Sequence, residues 1–312
     1  SPLLTYTSDD FYALLNNNDD INLLNDAPLS IAVGRLPVGN LQEANTLVDK
    51  IIRYHNSPNS SNTTGANTDN SWRNQLVFIA DDKDQNLHLN DAESIAATAL
   101  AANPAAHARK IYLDAFPLVS GAGGARYPSV SEAIVNQVLA GALIVNYSGH
   151  GNHLRLSEEA VISAAEVNRF NNPNKLPLFI TASCDFDPFD QPSKPSIARN
   201  LLYGSNNGAI ALLTTTRLVF AYSNRVMNQN YLQLAMEPLS TGGSGTPPNL
   251  TTSHLYRSLG QATMDAKNRS NQFNGDPLNS RKFALLGDPA MQLAFPELPM
   301  RINQITDQST GK

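Results

Sequence analysis

Four short apolar runs constrain this chain most: Leu76–Ala80 (LVFIA), Ala142–Tyr147 (ALIVNY), Leu178–Ser183 (LFITAS) and Ala209–Thr214 (AIALLT). They do not alternate apolar with polar residues. Such strands need cover on both faces, which is the condition of a parallel sheet inside an α/β fold. Ser30–Val33 (SIAV) and Lys110–Leu113 (KIYL) read as further strands of the same series. No apolar run approaches the ~20 residues of a membrane-spanning helix.

Helical patterns fall between these runs. Asn40, with Glu43 three residues on, opens a helix whose stripe is Leu41, Ala44, Leu47, Val48, Ile51 and Ile52. Asn90 with Glu93 opens a second. Ser129 with Glu132 opens a third, closed by Gly141. Ser253 opens a fourth, with Leu255, Leu259, Ala262 and Ala266 on one face, and Glu158–Asn168 reads as a helical crossover. Asn56–Ser71 and Thr241–Pro248 have little to bury and read as surface loops.

Of the 312 residues, 41% are hydrophobic and 16% charged, apolar enough to build a core. The net charge of −5 excludes a global nucleic-acid footprint and disfavours polybasic membrane binding. A single cysteine, Cys184, excludes internal disulfides and cysteine-rich zinc sites, and it fits an oxidising compartment. The chain starts at Ser1 without an initiator Met, which reads as the start of a cut or processed product.

Two strand ends carry the chemistry. ALIVNY runs into Ser148-Gly149-His150-Gly151, and LFITAS runs into Cys184-Asp185. A right-handed crossover makes these strands parallel, so both finish on the carboxyl edge where open α/β sheets bind ligands. One imidazole and the only thiol therefore arrive at one rim. A thiolate can attack a carbonyl while the histidine takes and returns the proton. The backbone N–H groups of Gly151 and Cys184 are candidates for holding the oxyanion. The plainer reading treats Cys184 as a small buried hydrophobe and His150 as a structural hydrogen-bonder. Asp185, Asp187 and Asp190 crowd the cysteine, and negative charge opposes a standing thiolate.

NYSGHG followed by TASCD resembles the His and Cys motifs of the gingipain-type cysteine peptidases. Val33-Gly34-Arg35-Leu36-Pro37 and Leu286-Gly287-Asp288-Pro289 are similar to two further motifs of that family. SDDFY at Ser8–Tyr12, NLHLNDAE at Asn86–Glu93, TASCDFDPFD at Thr181–Asp190 and GAIALLTTTR at Gly208–Arg217 resemble one branch. That branch is the C-terminal signal peptidases, or sortases, of the bacterial type IX secretion system.

The resemblance implies a caspase-like α/β/α sandwich with a mostly parallel sheet. Residues 1–120 would form an N-terminal subdomain lacking its first elements, 121–295 the catalytic subdomain, and 296–312 a tail leading to a β domain. It implies a surface enzyme at the outer membrane that cuts sorting domains from secreted cargo. It further implies transfer of the acyl group to an amine of anionic lipopolysaccharide, alongside outer-membrane components of the secretion machinery. His150 matches the general base and Cys184 the nucleophile; the carboxylate that orients His150 falls within Asp81-Asp82-Lys83-Asp84, whose register the resemblance does not fix, and Asp82 is the choice. The pocket carboxylate of the arginine-specific members maps near His88 or Leu89, so arginine is not expected before the cut. Val219–Phe220 would form the pocket wall and Thr214, Thr216 and Arg217 its floor, unless Arg217 pairs with the local aspartates. No cofactor is implied. The acidic loop Asp81–Asp84 could hold Ca²⁺, or be a plain solvated turn. A non-catalytic surface binding module and a purely hydrolytic protease remain the alternative readings.

Overall fold

The computed structural model describes residues 5–16, 19, 27–56, 70–239, 256–273 and 276–296. The six strands of the main sheet are β1 (Gln75–Ala80), β2 (His107–Tyr112), β3 (Ile144–Ser148), β4 (Leu178–Ala182), β5 (Ala211–Thr215) and β6 (Phe283–Leu286). Their spatial order is β6-β5-β4-β3-β1-β2, and every pairing is parallel except β5 with β6. The expected α/β fold with a mostly parallel central sheet is what the chain adopts.

Helices α1 (Leu41–His55), α2 (Leu87–Ala102), α3 (Pro128–Ala140), α4 (Ile197–Tyr203), α5 (Ala221–Met236) and α6 (Leu259–Gln272) cover the sheet. Alternate strand residues enter two separate cores. Leu76, Phe78, Ile180 and Leu213 pack with Ile95 of α2, Tyr231 of α5 and Ala262 of α6. Val77, Ile79, Phe179 and Leu212 pack with Ile134 of α3 and Leu201 of α4. Burial on both faces explains why these strands read as unbroken apolar runs.

Several expectations are corrected. Ser30–Val33 is not a strand; two residues beyond it, Arg35 makes an isolated parallel bridge with Leu286. Arg35 N–H donates to Leu285 O at 2.9 Å and Gly287 N–H to Arg35 O at 2.8 Å, so the GRLP and LGDP motifs meet at the sheet edge. Strand β6 was not foreseen, and neither were α4 and α5. Helix α2 begins at Leu87 after Asn86 in a left-handed conformation, not at Asn90. Glu158–Asn168 is not one helix: it holds Ile162–Ser163, the last of three short antiparallel strands that begin at Gly151, and a single helical turn, Ala164–Val167. In α1, Asn40 caps the Glu43 N–H at 2.9 Å as expected. Leu41, Val48 and Ile52 of its apolar stripe nevertheless remain exposed. Helix α6 is capped reciprocally by Ser258 and Gln261. Ser253 and Leu255, the loop Thr241–Pro248, most of Asn56–Ser71 and the tail from 297 lie outside the described residues. Among the described residues, no helix is long and apolar enough to cross a membrane.

Candidate active site

The site stands on the pairing of β3 with β4. Tyr147 is in register with Thr181, and Ser148 with Ala182. His150 and Cys184 each follow two residues beyond that last pair. The two turns touch directly: a side chain at Gly151 would approach Ser183 Oγ to 2.4 Å. Gly149 sits at φ 156°, where a Cβ would fall 2.4 Å from that of Asp81. Two side-chain pairs and one side-chain-to-backbone bond brace the base of the site. Asn146 and Asn228 exchange amide hydrogen bonds of 2.8 and 3.2 Å between β3 and α5. Thr181 and Thr214 share one of 2.5 Å between β4 and β5, and Thr215 Oγ1 donates to Ser183 O.

His150 and Cys184 line one cleft of about 160 Å³, together with Gly149, Ser183, Val219 and Phe220. Its far wall is α2 with His88 and Asp91, facing Asn224 and Arg225 of α5. The Cys184 thiol is half-buried and rests 3.6 Å from the Val219 carbonyl. The imidazole contacts a carboxylate instead: Nε2 lies 3.0 Å from Asp84 Oδ2. Thiol and imidazole share the cleft but not a hydrogen bond. Asp185, immediately after the thiol, is held at φ 47°, a conformation costly for a residue other than glycine.

The carboxylate on the imidazole is Asp84, not Asp82. Asp84, Gln85 and Asn86 are all left-handed, at φ 59°, 56° and 67°. That bend brings Asp84 to the imidazole, while Asp82 accepts from Tyr127 Oη at 2.7 Å. Asp81 takes a separate part: its Oδ2 accepts the His150 backbone N–H at 2.9 Å. Burial pushes the Asp81 carboxyl up to about 6, opposed by that N–H. His88 Nε2 lies 3.3 Å from Asp84 Oδ2, off the line of a hydrogen bond, with its ring edge-on to His150 at 5.1 Å. Burial, and then the neighbouring imidazole, push the His88 pKa down, which favours its neutral form.

Of the other pocket candidates, His88 and Phe220 line the cleft, and Phe220 is 53% exposed. Leu89, Thr214, Thr216 and Arg217 do not line it, and neither does Gly151, the oxyanion candidate. Thr214 spends its hydroxyl on Thr181, and Thr216 donates to Thr7 O at 2.9 Å. Arg217 grips Asp190 with two bonds of 3.0 and 2.5 Å, the plainer of its two readings. That contact holds the Asp190 carboxyl below its usual range, while burial raises Asp185 and Asp187. The acidic cluster beside the thiol is thus partly neutralised by Arg217 and by Arg199, 3.8 Å from Asp187.

Asp84 lies within the run Asp81–Asp84 to which the resemblance assigns the orienting carboxylate, and the residues not foreseen are Asp91, Asn224 and Arg225. Asp91 is buried in the cleft wall, 3.5 Å from Arg225. A carboxylate does therefore stand in this pocket, one helical turn beyond His88. The spacing of His88, Asp91 and Ile95 was a usable signal, hidden by starting the helix at Asn90. Among the described residues, Asp81, His88 and His150 bring candidate ligand atoms within 4.8 Å of one another, as do Asp81, Asp82 and Glu159.

The description peptidase family C25 matches residues 2–294 of the chain. No curated protein sequence matches. The crystal structure of the Arg-specific cysteine proteinase gingipain R (RgpB) is similar, with a TM-score of 0.67 at 19% identity, over 92% of this chain and 60% of that one. The complex of Porphyromonas gingivalis RgpB pro- and mature domains gives 0.65 at 18% identity, with coverage of 92% and 60%. A further structure described as a protease gives 0.63 at 13%, with coverage of 93% and 60%. At these identities the likeness is one of fold, and the chain spans about 60% of the length of those proteins. With nearly the whole chain matched, it belongs to peptidase family C25.

Proposed function

We propose that the chain is a cysteine peptidase in which Cys184 is the nucleophile and His150 the general base. The observation that carries this reading is that both residues line one cleft, two positions past a registered strand pair. With His150 Nε2 on Asp84, Nδ1 is the ring nitrogen left for the thiol. The S–H proton passes to Nδ1 as sulfur attacks the substrate carbonyl. Asp84 stabilises the imidazolium through Nε2–H. The leaving amine takes the proton back from Nδ1, and an acyl-thioester remains on Cys184. Cys184 must first leave the Val219 carbonyl, a shift that substrate binding can drive if the substrate prefers the rearranged state.

The substrate reading is finer and rests on the motifs SDDFY, NLHLNDAE, TASCDFDPFD and GAIALLTTTR. On that resemblance the enzyme removes C-terminal sorting domains from type IX cargo at the outer surface. It then passes the acyl group to an amine of anionic lipopolysaccharide, in company with outer-membrane components of the secretion machinery. An amine attacks the thioester as water does, losing its proton to His150. Cargo carrying its sorting domain should be incubated with the protein and increasing amine acceptor, and the products weighed by mass spectrometry. An amine adduct that displaces the hydrolysed product supports transfer. Hydrolysed product alone at saturating acceptor leaves a plain protease, and no cleavage in any condition removes the catalytic reading.

A further inference from the structure

We propose that His88, His150 and Asp84 form a Zn²⁺ site in the cleft, and that zinc bound there takes the general base out of use. Asp84 Oδ2 lies 3.0 Å from His150 Nε2 and 3.3 Å from His88 Nε2. Ligands about 2.0–2.1 Å from a tetrahedral zinc stand roughly 3.3 Å apart. Both separations are therefore those of neighbouring ligands on one ion. Asp81 adds negative charge to the group: it, His88 and His150 each offer a ligand atom within 4.8 Å of the others.

His88 supplies the independent observation. Its Nε2 is buried without a hydrogen-bond partner, and the residue is 6% exposed. Buried polar atoms of folded chains are nearly always paired, so an orphaned imidazole nitrogen calls for a ligand. Its ring stands edge-on to that of His150, with centroids 5.1 Å apart. Two imidazoles and one carboxylate are a borderline donor set, which suits zinc, whereas Ca²⁺ and Mg²⁺ take all-oxygen sets. Asp84 and His150 are each about half exposed, so the ion reaches the site from solvent and a water completes its shell. The Cys184 thiol rests on the Val219 carbonyl and stays outside the ligand set.

Zinc takes the Nε2 lone pair of His150. The neutral ring keeps its one proton, which moves through solvent from Nε2 to Nδ1. Nδ1–H is then a donor and does not accept the thiol proton. Asp84 is spent on the ion rather than on the imidazolium. This block of catalysis rests on the peptidase reading above; the site itself does not.

Chelator-stripped protein should be titrated with ZnSO₄ by calorimetry, with CaCl₂ and MgCl₂ as competitors. Wild type should bind one Zn²⁺ that neither competitor displaces. His88→Ala and Asp84→Asn, checked for folding by circular dichroism, should each weaken that affinity by at least the ~10-fold that loss of even an outer-shell partner costs. Cys184→Ala should bind zinc as tightly as wild type. Should the first two variants not fold, Co²⁺ in wild type decides. Visible d–d bands without thiolate-to-metal charge transfer support the site, and charge transfer or an absence of bands overturns it. Peptide cleavage by wild type should fall in step with zinc occupancy and return with chelator. No zinc binding, unchanged affinity in both folded variants, or lost binding in Cys184→Ala would overturn the site. Zinc that fills the site and spares turnover would overturn the block. Absence of turnover in metal-free protein would remove the peptidase reading, and the titration would still decide the site.

Discussion

Asp84 Oδ2 lies 3.0 Å from His150 Nε2, and the backbone that carries this carboxylate is left-handed at φ 59°. The imidazole is therefore oriented from the turn after β1, across a neighbouring strand. Asp84→Asn should lower kcat by roughly tenfold, a fraction of the typical general-base contribution because Asp84 is half exposed. KM should change little. Asp82→Asn, which alters the contact with Tyr127 instead, should affect kcat less. Steady-state kinetics of the two variants checks the assignment, and equal losses would contradict it.

Cys184→Ala should abolish turnover and leave Tm nearly unchanged. The thiol is half-buried and makes one long contact, to the Val219 carbonyl at 3.6 Å. Its loss opens little cavity and orphans no strong hydrogen bond. Calorimetry beside an activity assay separates this from a structural cysteine, whose removal would lower Tm and spare turnover.

Asp91 and Arg225 govern the charge of the cleft. Asp91 is already committed to Arg225 at 3.5 Å, so an arginine side chain entering beside the pair would lack a free partner. Peptides with arginine before the cut should be poor substrates of wild type. Arg225→Ala frees the carboxylate and should raise kcat/KM for such peptides relative to neutral ones. A ratio that does not move would remove the pair from the specificity pocket.

The pH dependence of stability carries a definite sign. Burial raises the Asp81 carboxyl from 3.8 to about 6, so the folded chain holds this proton more tightly than the unfolded one. The stability it confers is full below 3.8 and is lost as pH rises through about 6. With divalent cations chelated, wild type should lose stability over that window relative to Asp81→Asn. Denaturant unfolding of both proteins across the window measures the divergence.

The fold was legible where strands were buried on both faces, since Leu76–Ala80 and Leu178–Ala182 carry their apolar signal residue by residue. Strand β6 has only four residues, Phe283–Leu286, and β5 recruits it antiparallel at the sheet edge. Helix α5 was obscured by polar residues that it buries: Asn228 pairs with Asn146, and Asn224 accepts from Asn279. The site was legible as His150 and Cys184 because strand polarity is a local inference. Its carboxylate was not, because three consecutive left-handed residues decide whether Asp82 or Asp84 reaches the imidazole. No residue type in Asp84-Gln85-Asn86 demands that turn.

The most direct measurement is intact-mass analysis after reaction with a peptidyl acyloxymethyl ketone, which alkylates a cysteine only when the neighbouring base has primed it. Wild type should gain one peptidyl adduct, mapped to Cys184, with loss of turnover in proportion to labelling. His150→Ala should label far more slowly, and Cys184→Ala not at all. Peptide cleavage that persists in Cys184→Ala, or labelling of Cys184 at the same rate with and without the His150 imidazole, would contradict the account.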